Sequence, residues 1–344
     1  MKSKIKLSSS KRKLISKEQC SVISYPLNVE LSFSPWVYQC SDQELDPIAW
    51  LKVNKQEVLE KYKDNRGVLL RGFSIRDECA FLKLVQELSV QQLNYVDRST
   101  PRSTIVDKVY TSTSYPKAQT IAQHNEGSYW QQWPEKLFFY VKQPANSGGE
   151  TPFADVSQVL SHMPDKLRLQ FEELGWMFLR HYGSGFGMSW QEAFQVEDKA
   201  ELELILRDNQ TKFSWCDVEI LRTHKSYPAV HTHPISGNSL WFNHAAFFNS
   251  HSLSSDMREG LKGSLGSSLP TETFFGNGDV IPESAVKLIN DLYEQFTIKF
   301  EWQKYDFFLL DNMSISHGRK SYEGERQVFV AMADPISSTE INNW

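Results

Sequence analysis

The stretch AQHNEGSYW, at positions 122–130, places a histidine and a glutamate two residues apart, at His124 and Glu126. Alternate residues of a β-strand point to the same side, so a His-x-Glu pair at a strand end can present an imidazole nitrogen and a carboxylate oxygen to one ion. Taken alone the pair is a weak signal, because a short polar motif often lies in a surface loop. A metal site needs a further ligand from elsewhere in the chain.

A candidate third ligand lies in DFFLLDNMSISHGRKSYEGERQVFVAMADP, at positions 306–335. His317 follows one stretch with strand character and precedes another. Two histidines and one carboxylate on one face of the ion are typical of non-haem Fe(II) oxygenases, in which the other positions stay open for cosubstrate and O2. Arg326 begins the following strand, and an arginine fork is a natural receptor for a carboxylate cosubstrate.

Four blocks of the chain together resemble the taurine-dioxygenase-like (TauD/TfdA) branch of the Fe(II)/2-oxoglutarate-dependent oxygenases. They are HNEGSYW, GGETPFADV, LWFNHAAFFN and LLDNMSISHGRKSYEGERQVFVAMAD. The resemblance covers roughly residues 66–335. The resemblance implies that the cofactors are Fe(II), the cosubstrate 2-oxoglutarate and O2. It further implies that 2-oxoglutarate is decarboxylated to succinate and CO2 while a substrate C–H bond is oxidised.

The same resemblance assigns roles to individual residues of this chain. It implies that the iron ligands are His124, Glu126 and His317. It also implies that Thr151, in the GGET block, and Arg326 together bind the distal carboxylate of 2-oxoglutarate.

Two positions depart from the commonest pattern of the family. The carboxylate ligand is glutamate where many members have aspartate, and glutamate is typical of the amino-acid hydroxylases that resemble clavaminate synthase. Arg326 follows His317 by nine residues, which is closer than in taurine dioxygenase itself and indicates a shorter turn. Because Glu126 is present, a halogenase is disfavoured, since in the related halogenases a small residue replaces this carboxylate.

The substrate class also follows from resemblance, here to SyrP-like and clavaminate-synthase-like enzymes of specialised metabolism. We expect hydroxylation of an amino acid or amino-acid-derived molecule, free or bound to a carrier protein, in natural-product biosynthesis. Desaturation, cyclisation or epoxidation with the same cofactors is the alternative. A non-catalytic jelly-roll binding protein and a zinc hydrolase are alternatives of other classes. Arg319 and Asn243 are weak candidates for substrate contacts.

Other histidines offer alternative metal ligands. His231 and His233, in VHTHP, have suitable spacing but precede a proline and fall outside the four matched blocks. His244, in WFNHAAFF, is expected to be a structural or pocket-lining residue and not a ligand. The four cysteines lie far apart without CxxC spacing, which favours reduced thiols over a disulfide frame or a zinc site.

The charge of the chain is uneven. Its 344 residues carry a net charge of −5, yet residues 2–18 are rich in lysine. We interpret residues 1–25 as a basic, disordered tail and residues 26–344 as a single dioxygenase domain. A net negative body disfavours nucleic acid as the main partner, and no apolar run is long enough to span a membrane. The expected location is therefore the cytoplasm; the sequence does not indicate an oligomeric state.

The elements that would position these side chains can be read from hydrophobic periodicity. Residues 66–75 and 137–142 are expected to be strands, and 77–88 a helix. Residues 146–175 are expected to start as a loop and continue as two helices, with an N-cap at Asp155 and a break at Pro164. Further strands are expected at 176–182, 211–217, 239–244, 297–302, 305–311 and 327–333, and helices near 197–207 and 283–296. This order predicts a mainly β fold with helical insertions around a double-stranded β-helix, or jelly-roll, core.

Overall fold

Strands and helices are intermingled along the chain. The structure is a computed structural model that describes residues 21–28, 33–94, 104–106, 108–111, 115–183, 187–265 and 269–337. Its helices there are α1 (Pro47–Asn65), α2 (Glu78–Leu88), α3 (Val156–Ser161), α4 (Asp165–Leu174), α5 (Trp190–Phe194), α6 (Lys199–Asp208), α7 (Ser255–Leu265) and α8 (Glu283–Gln295). Its strands there are β1 (Val22–Pro26), β2 (Trp36–Cys40), β3 (Gly67–Arg71), β4 (Thr104–Val106), β5 (Val109–Thr111), β6 (Ile121–His124), β7 (Gln132–Gln143), β8 (Ser147–Gly148), β9 (Phe153–Asp155), β10 (Trp176–Tyr182), β11 (Lys212–Trp215), β12 (Leu221–Tyr227), β13 (His231–Thr232), β14 (Ser239–Leu240), β15 (Thr271–Phe275), β16 (Thr297–Ile298), β17 (Phe307–Asp311), β18 (Ile315–Arg319), β19 (Tyr322–Glu323) and β20 (Gln327–Ser337).

Two sheets pack face to face. The main sheet has eight strands in the order β1-β2-β3-β17-β7-β20-β5-β4, and the smaller one has four in the order β16-β9-β18-β6. Neighbouring strands are antiparallel except β2 and β3. Aromatic rings fill the space between the sheets: Phe153 of β9 packs edge-on against Phe308 of β17, with centroids 5.0 Å apart. This sandwich confirms the mainly β fold with a jelly-roll core.

Helices α1 and α2 cover the outer face of the main sheet. Each begins at an aspartate whose carboxylate accepts a backbone N–H of the first turn: Asp46 from Ile48, and Asp77 from Ala80. Phe81 of α2 is fully buried and stacks on Tyr140 of β7, with centroids 5.3 Å apart. Burying one such side chain contributes about 1.5–3 kcal/mol, so the apolar face of α2 holds this helix on the sheet.

A long insertion separates β9 from β17. Asp155 caps α3 by accepting the N–H of Ser157 at 3.0 Å, and Pro164 separates α3 from α4, both as the sequence predicts. The insertion also contains a four-stranded sheet in the order β11-β12-β10-β15. Helices α5 and α6 pack on it through Trp190, Leu202 and neighbouring apolar side chains. The predicted helical insertions are therefore present, together with a sheet of their own.

Several features differ from the sequence-based expectations. The strand predicted at 297–302 is only Thr297–Ile298, and the long helix α1 and the strand β18 were not predicted. The strand predicted at 239–244 is only Ser239–Leu240, and β12 is an additional strand. The sequence of β12, LRTHKSY, is largely polar, and its strand structure comes from pairing with β10 and β11 on either side. Strand β1 starts within the segment assigned to the tail, because residues 22–26 pair with β2 at the edge of the main sheet. The rest of that tail, residues 1–20, lies outside the described residues.

Neither a membrane-spanning helix nor a disulfide is found in the described part of the chain. None of the helices there has both the length and the apolar character that crossing a bilayer requires. Cys40, Cys79 and Cys216 are free thiols, and Cys20 falls outside the described ranges.

A buried ion pair ties the ends of two adjacent strands of the main sheet, and we expect it to be important for stability. Arg71 donates to both carboxylate oxygens of Asp306, at 3.0 Å and 2.6 Å, and Asp306 is fully buried. Arg71→Ala leaves this carboxylate without its charged partner, which should lower the free energy of unfolding by about 3–5 kcal/mol. Urea denaturation measures the loss. Lys287→Ala, which breaks the exposed pair with Asp291, is the matched control and should change stability by less than about 0.5 kcal/mol. Equal effects of the two variants would contradict the expectation.

Candidate metal centre and cosubstrate cavity

Two adjacent strands of the smaller sheet bring His124 and His317 together. His124 ends β6 and His317 lies in the middle of β18, directly opposite it in the antiparallel register. Their ring centroids are 4.4 Å apart. The register shifts immediately after this pair, at Gly318. A Cβ at position 318 would lie 2.6 Å from the carbonyl oxygen of Ile121, so only glycine allows the two backbones to approach this closely.

The backbone of Glu126 is held by the side chain of Asn312. Asn312 Oδ1 accepts the N–H of Glu126 at 2.7 Å, and its Nδ2 donates to the carbonyls of Glu126 and Pro134, each at 2.9 Å. Asn125 reciprocates by donating from Nδ2 to the carbonyl of Asn312 at 2.6 Å. Asn125 and Asn312 are both fully buried. This exchange of amide hydrogen bonds, here called the asparagine clasp, joins the turn after β6 to the turn between β17 and β18.

The three side chains form a compact set of donors for a cation. One ligand atom each from His124, Glu126 and His317 lies within 4.8 Å of the others, and all three residues are buried. Nε2 of His317 is 4.0 Å from a carboxylate oxygen of Glu126. Nδ1 of His124 is 3.0 Å from the carbonyl of Ala122, which places the proton on Nδ1 and leaves the lone pair of Nε2 for a metal. This donor set fits Fe(II).

A small cavity beside His317 contains Thr151 and Arg326, and apolar side chains of β7 and β20 complete its wall. Nε of Arg326 donates to the carbonyl of Gly149 at 3.0 Å. Gly149 has a φ of +74°, and a Cβ there would lie 3.1 Å from Cδ of Arg326, so the glycine makes room for the arginine. The hydroxyl of Thr151 accepts from Nε1 of Trp302 at 2.9 Å, which leaves its own proton available to a ligand.

The cavity is strongly cationic. Burial, together with the nearby charge of Arg319, lowers the pKa of Arg326 to about 10, so this side chain still carries its charge at neutral pH. Nε of Arg326 bonds to a backbone carbonyl, and no bond from its two terminal nitrogens is formed within the described part of the chain. A buried, positively charged fork of this kind matches a carboxylate.

Arg319 and Asn243, the two weak substrate candidates, are both engaged within the protein. The terminal nitrogens of Arg319 donate to the carbonyls of Tyr115, Pro116 and Gln119, at 2.7–3.0 Å. Nδ2 of Asn243 donates to the carbonyl of Ala229, and its Oδ1 accepts the N–H of Ala245. These contacts make Arg319 an anchor of the 115–119 segment and Asn243 the support of a turn. That either residue contacts substrate stays a prediction.

His231 and His233 do not form a metal site. Nδ1 of His233 accepts two backbone N–H groups, from Ile235 and Ser236, so its Nε2 bears the proton and lies 3.2 Å from a carboxylate oxygen of Asp311. Burial lowers the pKa of His231 to about 4, and its ring packs edge-on against Trp133. Within the described ranges, only His124, Glu126 and His317 form a group of three such donors close enough to share an ion.

His244, expected to be a structural or pocket-lining residue, lies close to the metal-facing residues and is not part of their donor group. Its ring centroid is 5.8 Å from that of His124, and its Nδ1 is 2.5 Å from Oγ of Ser128. Burial, reinforced by the neighbouring histidines, lowers its pKa well below the usual value, so it is neutral. Ser128 lies in the HNEGSYW block two residues after Glu126, a proximity that could have drawn attention to it.

A larger cavity of about 910 Å³ lies on the outer side of Tyr129. Its wall includes Arg180 and Lys225, on the paired strands β10 and β12, and several amide side chains. Tyr129 also packs edge-on against His244, with centroids 5.2 Å apart. Tyr129 therefore contacts both this cavity and the histidine next to His124.

Comparisons with known proteins agree with this geometry. Residues 37–332 match the family described as "Taurine catabolism dioxygenase TauD, TfdA family". The chain is 40% identical over 280 residues to the dapdiamide synthesis protein DdaC of Enterobacter agglomerans, covering 81% of this chain and 85% of that one. It is 26% identical over 294 residues to a clavaminate synthase-like protein of Arabidopsis thaliana, covering 82% and 86% of the two chains.

A solved structure shows the same fold. The PvcB protein of Pseudomonas aeruginosa superimposes with a TM-score of 0.51 at 13% identity, covering 98% of this chain and 97% of that one. Because the family match extends over most of the chain and the His–Glu–His set is complete, the chain belongs to the TauD/TfdA family and is an Fe(II)- and 2-oxoglutarate-dependent dioxygenase.

Proposed function

We propose that the protein hydroxylates an unactivated C–H bond of an amino acid or amino-acid-derived small molecule in natural-product biosynthesis. The observation that carries this proposal is its similarity, over 81% of the chain, to a protein named for dapdiamide synthesis. The clavaminate synthase-like relative supports the same class of substrate. A complete donor set for iron next to a cationic cavity supports catalysis over a non-catalytic binding role.

In this proposal, His124, Glu126 and His317 hold the iron. The hydrogen bond from Nδ1 of His124 to the carbonyl of Ala122 orients its ring and fixes its tautomer, while the asparagine clasp places the backbone of Glu126. Rings of Phe139 and Phe247 pack on the two histidines, at centroid distances of 5.3 Å and 4.8 Å. These apolar rings exclude water from the side of the site that they cover.

Arg326 and Thr151 bind the distal carboxylate of 2-oxoglutarate in this proposal. The terminal guanidinium nitrogens of Arg326 can donate in parallel to both carboxylate oxygens, and the Thr151 hydroxyl can add a third bond. A zinc hydrolase would have no use for such a carboxylate receptor. Iron and 2-oxoglutarate, when bound, supply the oxidation of a C–H bond, with O2 consumed and succinate and CO2 released.

Placement of the substrate decides the outcome of the oxidation. Desaturation, cyclisation and epoxidation use the same cofactors, and they differ in which substrate atoms lie next to the iron. The outer cavity lined by Arg180 and Lys225 matches a substrate that bears a carboxylate, either free or as part of a carrier-bound intermediate. Mass analysis of the product separates oxygen insertion from dehydrogenation, since hydroxylation and epoxidation add one oxygen atom whereas desaturation and cyclisation remove two hydrogen atoms. NMR spectroscopy of the product then identifies the outcome within each pair.

Anaerobic addition of Fe(II) and 2-oxoglutarate tests the site directly. The wild-type protein should develop the weak visible charge-transfer band of chelated 2-oxoglutarate, and His317→Ala should lose both this band and substrate oxidation. His224→Ala is a suitable control, because His224 lies on β12 and is outside the group of close metal donors. Absence of the band in the wild-type protein would contradict the iron assignment. A separate experiment, succinate release across a panel of amino acids, tests the substrate class.

Removal of the arginine fork should weaken cosubstrate binding. Arg326→Ala deletes two charge-assisted hydrogen bonds, and a loss of about 1.5–3 kcal/mol corresponds to a rise of about 10- to 100-fold in the KM for 2-oxoglutarate. Arg326→Lys should restore part of the affinity, because it keeps the charge without the fork. The measurement is succinate formation at varied 2-oxoglutarate. An unchanged KM would mean that another cation holds the carboxylate, and Arg319 would be tested first.

The asparagine clasp should control metal affinity. Asn312→Ala removes the acceptor of the Glu126 N–H and the donor to the Glu126 carbonyl, so the carboxylate ligand loses its fixed position. We expect about a 10- to 100-fold loss of Fe(II) affinity, the range typical when a group that orients a ligand is removed. Titration with Fe(II) under anaerobic 2-oxoglutarate, followed by the visible band, measures it. Asn290→Ala, on α8, is the matched control; loss of metal binding there as well would contradict a specific role of the clasp.

A further inference from the structure

His244 is a buried histidine. Its Nδ1 has a hydrogen-bond partner within the protein, whereas its Nε2 has none among the described residues. Nδ1 lies 2.5 Å from the Ser128 hydroxyl, and the residue is only 3% exposed. Nε2 makes no hydrogen bond to any of the described residues. Several buried polar atoms of these residues lack a partner and are fully enclosed, but Nε2 of His244 is not one of them. This nitrogen therefore touches open space while the rest of the ring is enclosed.

The hydrogen-bonding needs of Ser128 decide the tautomer of His244. Ser128 is itself buried, and Nδ1 of His244 is the one acceptor for its hydroxyl in the described chain. If Nδ1 carried the proton, the serine O–H would have no acceptor, which costs about 1–3 kcal/mol for a buried donor. The serine therefore donates to Nδ1, and the proton of the neutral imidazole is on Nε2. The open nitrogen of His244 is a donor.

The direction of this donor is fixed by packing. Phe248 stacks on the His244 ring at 5.0 Å with an interplanar angle of 17°, while Tyr129 and Phe247 pack edge-on at 5.2 Å and 5.3 Å. Asn243 holds the turn that carries the histidine. Because rotation of the ring would displace three aromatic neighbours, the His244 ring stays in one orientation, with its centroid 5.8 Å from that of His124.

We propose that His244 is a substrate-binding residue whose Nε2–H donates to a carbonyl or carboxylate oxygen of the substrate and so determines which C–H bond faces the iron. This inference rests on the proposed function and deepens it, since it requires a substrate with an acceptor oxygen near the oxidised carbon. Amino acids and their amides both have one. The aromatic rings around the donor exclude water, which strengthens a single hydrogen bond and makes a substrate without the acceptor bind poorly.

The tautomer can be tested without knowledge of the substrate. In full-length protein labelled with ¹⁵N-histidine and loaded with diamagnetic Zn(II) and 2-oxoglutarate, the His244 signals are assigned by their loss in His244→Gln. We expect the proton on Nε2, and we expect Ser128→Ala to produce a mixture of both tautomers. A proton on Nδ1 in the wild-type protein would overturn the proposal, because Nε2 would then be an acceptor.

Kinetics test the role in binding, with free L-amino acids and their carboxamides as probes. The measurements use the probe that most stimulates succinate formation. His244→Phe should raise the KM for this probe at least about tenfold, which is the effect of one lost hydrogen bond. It should also lower the coupling, defined as the ratio of oxidised product to succinate. His244→Gln keeps an amide donor near the Nε2 position, so its KM for the probe and its ratio of oxidised product to succinate should both return most of the way to the wild-type values. Stimulation by acids but not amides identifies a carboxylate acceptor, and stimulation by both identifies a carbonyl.

Controls separate this inference from the proposed function. His224→Phe is the control for the kinetic effect and should leave the KM for the probe and the ratio of oxidised product to succinate unchanged. The anaerobic visible band is the control for the metal site, and His244→Phe should keep it. If the band is normal and a probe is oxidised, but KM and coupling are unchanged in His244→Phe, the inference is wrong while the proposed function stands. If no amino acid, amide or aminoacyl-pantetheine thioester (a mimic of a carrier-bound substrate) stimulates succinate formation in the wild type, the proposed substrate class is wrong, and the inference falls with it. Loss of the band in His244→Phe would show a role in building the metal centre and would overturn substrate binding.

Discussion

The pairing of β6 with β18 is the constraint on which the rest of the site depends. It sets His124 opposite His317, two residues that are far apart in the chain, and it does so where glycine at position 318 lets the backbones come close. The asparagine clasp then adds Glu126 by joining the turns that follow β6 and precede β18. A one-residue slip of this register would turn one histidine away from the other, so strand pairing and metal binding are one structural requirement.

The two-sheet core supplies the environment in which these polar groups are effective. Aromatic side chains such as Phe139 and Phe153 fill the space between the sheets and pack against the histidines and the cosubstrate cavity. In such surroundings a buried arginine is costly unless an anion accompanies it, so the cavity around Arg326 suits a carboxylate. The insertion contributes the other wall, because His244 and Phe247 belong to it and pack against His124.

Much of the fold could be predicted from local patterns. The strands at 66–75, 305–311 and 327–333 are apolar runs that become central strands of the main sheet, and Asp155 and Pro164 begin and separate helices as their chemistry requires. Periodicity could not reveal β12, a polar strand stabilised by its neighbours, nor that residues 22–26 pair with the edge of the sheet. In both cases the deciding hydrogen bonds come from partner strands that the local sequence does not specify.

The sequence alone determined the chemical class of this protein, because residue types at set spacings, His124-x-Glu126 with a distant His317 and Arg326, are enough to match the TauD/TfdA pattern. Tertiary structure decided what the remaining polar residues do. Arg319 and Asn243 turned out to bond to backbone carbonyls of segments distant from them in the chain, and His244 acquired its tautomer from a serine on another element. The reason is physical: a ligand set is specified by side-chain chemistry, whereas the role of a single buried polar group depends on which partners the fold brings within hydrogen-bond distance.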